Sequence, residues 1–208
     1  MARPELALAL ARPVARGARR LVYRDPRNER RAVKITVSGK GGQREMQSLK
    51  RVDFSDETRR LWQDHRALMK RLGLPWPRHL AACYGLDATD AGTGLVVEFI
   101  GAADGSPAPS LAAHLRRHGL DAACRRALKD LRRFLLQRGV VLGEAKLDHI
   151  LMRPDSDGSL VAVVVDGVDI PATARRISLR RKRRVARIWR DLLAAVAEVA
   201  RVRRREVG

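Results

Sequence analysis

Glu144, Lys146, Asp148 and His149 fall within six residues of one another in the stretch VVLGEAKLDHILMRPD (140–155), and Asp166 follows Glu144 by 22 positions, closing the apolar run LVAVVVDG. A carboxylate with a lysine two residues on can take a proton from a hydroxyl and offset charge on a transferring group. A carboxylate at the end of a buried strand is costly unless metal or hydrogen bonds hold it. Transfer of a phosphoryl group asks for such parts: a cation on the phosphates, carboxylates for Mg²⁺, and a carboxylate near the acceptor hydroxyl. The sequence RAVKI adds a strand-borne cation, Lys34, whose side chain points away from the side to which Val33 and Ile35 point.

The elements that must hold these groups can be read from pattern. LVY (21–23) and AVKITV (32–37) are β-branched runs separated by DPRNE, which predicts two strands and a turn. Ser55 caps a helix over 56–72, with Leu61, Leu68 and Leu72 on its apolar face and Gly73 and Pro75 ending it. Glu57, four residues before Leu61, is expected to face inward and to need a cationic partner. Two further strands are predicted over 81–86 and 94–100. The composition of GAADGSPAPS then marks a linker. Helices follow over 111–118 and 121–137, the second with Leu128, Leu131 and Leu135 on one side. A buried strand covers 161–165. A basic helix covers 180–205, with Trp189, Leu192, Leu193, Val196 and Val199 as its packing stripe. The expected class is α+β: a small β-rich lobe with one helix (1–101), then a helical lobe with the acid–lysine loop and the basic helix (102–208).

Composition narrows the function classes. A chain of 208 residues with 45% hydrophobic residues can bury a real core, and its longest apolar run is far too short to span a bilayer. The N-terminal segment reads as a mature start and not as a signal peptide. Cys83 and Cys124 lack metal-site or redox spacing, which predicts a reduced, cytoplasmic setting. The net charge is +20, and half of it lies in residues 175–208, where 13 basic residues face three acids. That concentration makes the segment 175–205 a candidate surface for an anionic partner. His114 and His118 share a helix face without a third ligand and are expected to be surface histidines.

VVLGEAKLDHIL resembles, without a gap, the catalytic loop of protein kinases, usually IVHRDLKPENIL, and VVVDG stands where the metal-binding Asp-Phe-Gly is found. Glu replaces Asp at 144, His149 replaces the metal-binding asparagine, and Gly17 alone stands for the glycine-rich loop. The stretches GARRLVYRDPRNERRAVKI, GLPWPRHLAACYGLDATDAGTGLVVEFIGAADGSPAPSL and FLLQRGVVLGEAKLDHILMRPDSDGSLVAVVVDG together resemble the PhoP regulatory network protein YrbL family. The resemblance covers roughly residues 17–189. It implies a compact, truncated protein-kinase-like fold with ATP and Mg²⁺ as cofactors. Lys34 would hold the phosphates, paired with Glu57 or else Glu45. Gly17 would lie at the phosphate-covering turn and Glu98 in the hinge. Asp166 and His149 would be the metal residues, while Glu144 and Lys146 would serve catalysis. The implied function is an atypical ATP-dependent phosphotransferase with an unspecified acceptor. Two alternatives stay open: an inactive pseudokinase used as a regulatory binding module, and a basic-helix binder of nucleic acid or another anionic surface.

Overall fold

The structure is a computed structural model that describes residues 6–8, 10–17, 19–37, 55–73, 75–155, 157–169 and 178–207. Two compact units divide the chain: residues 1–66 with 82–99, and residues 67–81 with 100–208. An antiparallel sheet dominates the first and helices the second, which is the expected α+β class.

In the first unit, β1 (Ala15–Arg16), β2 (Arg20–Asp25), β3 (Asn28–Thr36), β4 (Cys83–Thr89) and β5 (Gly92–Glu98) form a five-stranded sheet in the order β1-β2-β3-β5-β4. The turn between β2 and β3 is set by Asp25, whose Oδ1 accepts the Arg27 N–H at 2.9 Å. Strand β3 is central, and alternation sends its side chains to two different cores. Val33 and Ile35 join Leu21, Tyr23, Leu6 and Leu8 on one face. Ala32 joins Cys83, Leu95 and Val97 on the other, where Leu61 and Trp62 of α1 (Ser55–Leu72) pack. Gly94 has to be glycine, because a Cβ there would collide with Val33 Cγ1 and crowd Ile35 Cδ1.

The second unit holds α2 (Leu111–His118), α3 (Ala122–Arg138), β6 (Val141–Leu142), β7 (Ile150–Pro154), β8 (Leu160–Val164), β9 (Val168–Asp169) and α4 (Leu179–Val207). Helix α3 starts where Asp121 Oδ1 accepts the Cys124 N–H at 2.7 Å and ends at Gly139, whose φ of 58° is the left-handed region glycine tolerates. Its stripe Leu128, Leu131 and Leu135 is buried. Trp189, Leu192 and Val196 dock α4 into the same core, as expected, while Leu193 is exposed. The GAADGSPAPS segment is an ordered turn: the Ala102 N–H donates to Ser106 O, and Asp104 Oδ1 accepts the Ser106 N–H and hydroxyl at 2.9 and 2.6 Å. Cys83 and Cys124 are free and buried, and burial pushes both thiols up to about 11, which leaves them unreactive. No helix among the described residues is long and apolar enough to cross a membrane.

Candidate active site

The acid–lysine loop is built by two short antiparallel pairings. Ile150–Pro154 and Leu160–Val164 form a hairpin with Ile150 opposite Val164, so the loop residue before β7 sits beside the residue after β8. The Val165 N–H donates to His149 O at 2.9 Å and extends that pairing. β6 and β9 then pair with Leu142 opposite Val168, and the Gly143 N–H donates to Gly167 O at 2.6 Å. Residues 143–149 and Asp166–Gly167 are thereby tied together from both sides. The apolar runs on β6 and β8 are buried, and the polar residues emerge where those runs stop.

Within this corner Lys146 Nζ lies 2.8 Å from Glu144 Oε1, and His149 Nδ1 lies 3.8 Å from the same oxygen, too far for a hydrogen bond. The Glu144 and Lys146 side chains remain about half exposed, so both can reach a ligand. Asp166 is half-buried, and its Oδ1 accepts the Gly167 N–H at 2.8 Å. Gly167 makes the arrangement possible. Its φ of 70° turns the chain from β8 into β9, and a Cβ there would stand 2.9 Å from His149 Nδ1. The structure thus brings Glu144, Lys146, His149 and Asp166 together, as their spacing suggested.

Two neighbours take different parts. The Ser110 hydroxyl donates to Asp148 Oδ1 at 2.7 Å, while Ser110 Oγ caps α2 through the Ala113 N–H. Asp148 therefore ties the loop to the start of α2. His149 Nδ1 is buried against Gly167 and the Glu144 side, with no hydrogen-bond partner among the described residues. Magnesium prefers oxygen donors and commonly takes one or two carboxylates, filling its remaining positions with water and phosphate oxygens. Asp166 fits that chemistry. The His149 nitrogen does not, and no group of three His, Cys, Asp or Glu among the described residues could cage a metal.

In the first unit, Lys34 stands opposite Val22 on β2 and Leu95 on β5, on the central strand and on the face that carries Ala32 and Cys83. It is not an edge lysine, and its charge reaches the Cys83 thiol. Glu98 Oε2 accepts the Ala82 N–H at 3.1 Å, which pins the end of β5. Gly17 lies in the turn between β1 and β2, where its N–H donates to Arg20 O at 2.8 Å. Glu57 meets Arg19 at 3.0 Å and Arg20 at 3.9 Å, so these arginines are the cations at its carboxylate in place of the expected Lys34. The reason is helical phase: the fully buried residue of that turn is Thr58, whose hydroxyl lies 3.5 Å from that of Thr36. Glu57 is one position off the inward face. Glu45 lies outside the described residues.

The sequence profile of the PhoP regulatory network protein YrbL family matches residues 6–197. The chain belongs to that family. It is similar to "Uncharacterized protein YrbL" of Escherichia coli (strain K12), with 30% identity over 197 residues covering 89% of this chain and 85% of that protein. The protein of the same name from Shigella flexneri matches equally. Among solved structures, the chain is similar to Rad53 1–466 in complex with AMP-PNP, with 17% identity, a TM-score of 0.47, and coverage of 76% of this chain and 38% of that one.

His114 departs from the surface role expected of it. It is 6% exposed, with Nε2 3.3 Å from Asp121 Oδ2 and its ring centroid 5.0 Å from that of His118, the two rings tilted by 39°. Burial lowers its pKa. The sequence signal was available in hindsight: Leu111 and Leu115 flank it at helical spacing, so position 114 lies on the buried face.

Proposed function

We propose that this YrbL-family chain binds a nucleoside triphosphate with Mg²⁺ and transfers the terminal phosphoryl group to a hydroxyl-bearing acceptor. The observation that supports this most is the Glu144–Lys146 pair at 2.8 Å, held beside Asp166 by the β6–β9 pairing. Glu144 accepts the acceptor's hydroxyl proton as the oxygen attacks phosphorus and the bond to the leaving nucleoside diphosphate breaks. Lys146 then shares its ammonium between the carboxylate and the oxygens of the moving group, which lowers the cost of charge built up there. Asp166 is the carboxylate that would hold Mg²⁺, which supplies charge neutralisation on the phosphates when bound. Lys34 keeps, in this proposal, the role of holding the nucleotide phosphates.

The substitution Glu144→Gln tests the reading, because the amide keeps the shape and cannot take a proton. With water as the surrogate acceptor, ADP release from Mg-ATP should fall at least about 100-fold, the usual worth of a general base, while nucleotide affinity changes little. Unchanged ADP release in the variant would contradict the role of Glu144. A wild-type chain that binds Mg-ATP and never turns it over would replace the enzyme by a binding module.

A further inference from the structure

The N-terminal half of α4 carries an arrangement that the nucleotide reading leaves unused. Six arginines of this helix line a cavity of about 680 Å³ in the second unit, a volume in the range of small-molecule sites. Arg180, Arg183, Arg187 and Arg190 recur at intervals of three and four and so form one stripe along the helix. Between Ser178 and Arg190 there are seven basic residues and no acid.

Three facts separate this from an ordinary solvated face. Six guanidinium-bearing side chains border one partly open volume, where their fields add. Cations in the first turn oppose the helix dipole, and like charges at three- and four-residue spacing repel, so the sequence places them there against helix stability. The positive cluster also continues inward. Arg181, four residues before the core residue Val185, is only 7% exposed. It stands near Arg71, whose Nε and Nη2 are buried without a hydrogen-bond partner among the described residues, and near Arg138. Burial, then the charges of Arg181 and Arg138, lower the Arg71 pKa. Val141, three residues before Glu144, forms part of the cavity wall.

We infer that this cavity is a binding site for a compact, multiply phosphorylated small molecule. Guanidinium groups take phosphate oxygens in pairs, and several phosphates on one small frame match several arginines around one volume. A nucleic-acid duplex would ask for cations spread along an extended line, whereas these six arginines border one volume of about 680 Å³. The inference is independent of the nucleotide site and stands or falls without it.

Inositol hexakisphosphate is a suitable probe, titrated calorimetrically into the full chain at 150 mM salt in the absence of nucleotide. Saturable binding at one site per chain is expected. The exposed pair Arg183→Glu with Arg187→Glu should weaken it at least tenfold, while the same charge change on α3, Arg126→Glu with Arg132→Glu, should alter it less than threefold. Equal weakening by both pairs would reduce the effect to diffuse charge and overturn the site. So would the lack of saturable binding, or a 20-base-pair DNA duplex that binds the wild type more tightly and displaces the probe. That competition is read on the wild-type chain, so it decides the matter even if the α4 variant fails to fold.

Discussion

Gly167 is where conformation and chemistry meet most closely. Its φ of 70° sends β9 back along β6, and its missing Cβ leaves room for His149 Nδ1. The substitution Gly167→Ala adds left-handed strain of about 1–2 kcal/mol, and the imidazole must move as well. A melting temperature about 2–8 °C lower is expected by calorimetry. Nucleotide-dependent properties should suffer in addition, since Asp166 is bonded to the Gly167 N–H. The buried histidines give a separate, pH-dependent signature. Burial lowers the pKa of both His79 and His114, so each is neutral in the fold and titrates near 6.5 once unfolded. The unfolded chain therefore takes up protons first as pH falls, and stability drops from about pH 6.5 downward until the folded histidines titrate. Melting temperatures at pH 7.5 and 5.5 should show the loss, and His114→Gln should diminish it. A flat profile between these values would contradict the burial of the two rings.

The loop that carries the candidate chemistry depends on the elements behind it. Ser110 both caps α2 and donates to Asp148, so Ser110→Ala removes two bonds at one junction. The expected cost is about 0.5–2 kcal/mol, measured by urea unfolding. An unchanged midpoint would show that the junction is not held by this hydroxyl. Elements of this kind were unevenly legible in the sequence. The leucine spacing on α3, together with the β-branched runs of β3 and β8, announced itself because each spans several periods of its pattern. β6 and β9 are two residues each, too short for any period, yet they fix Asp166 beside the loop. Glu57 was misplaced because leucine spacing alone does not reveal that Thr58 is the inward residue of that turn. Arg181 could not be foreseen inside, since an arginine on an apolar stripe reads as a phase error unless other cations share its surroundings.

For the molecule as a whole, the charge and the candidate site are separate resources. Half of the net +20 lies in residues 175–208, which include α4; its apolar stripe docks the helix, and arginines line the cavity beside it. Glu144, Lys146 and Asp166 come from the loop and strand ends between α3 and α4. Binding of a ligand by the folded state alone must raise stability, by about 2.7 kcal/mol at 100 times its dissociation constant. The most direct measurement is therefore the melting temperature with ATP, with Mg²⁺, and with both, for the wild type and for Asp166→Ala. A rise that needs both ligands and vanishes in Asp166→Ala is the predicted result. No rise in the wild type at millimolar Mg-ATP, or an equal rise in the variant, would contradict metal-bound nucleotide at Asp166.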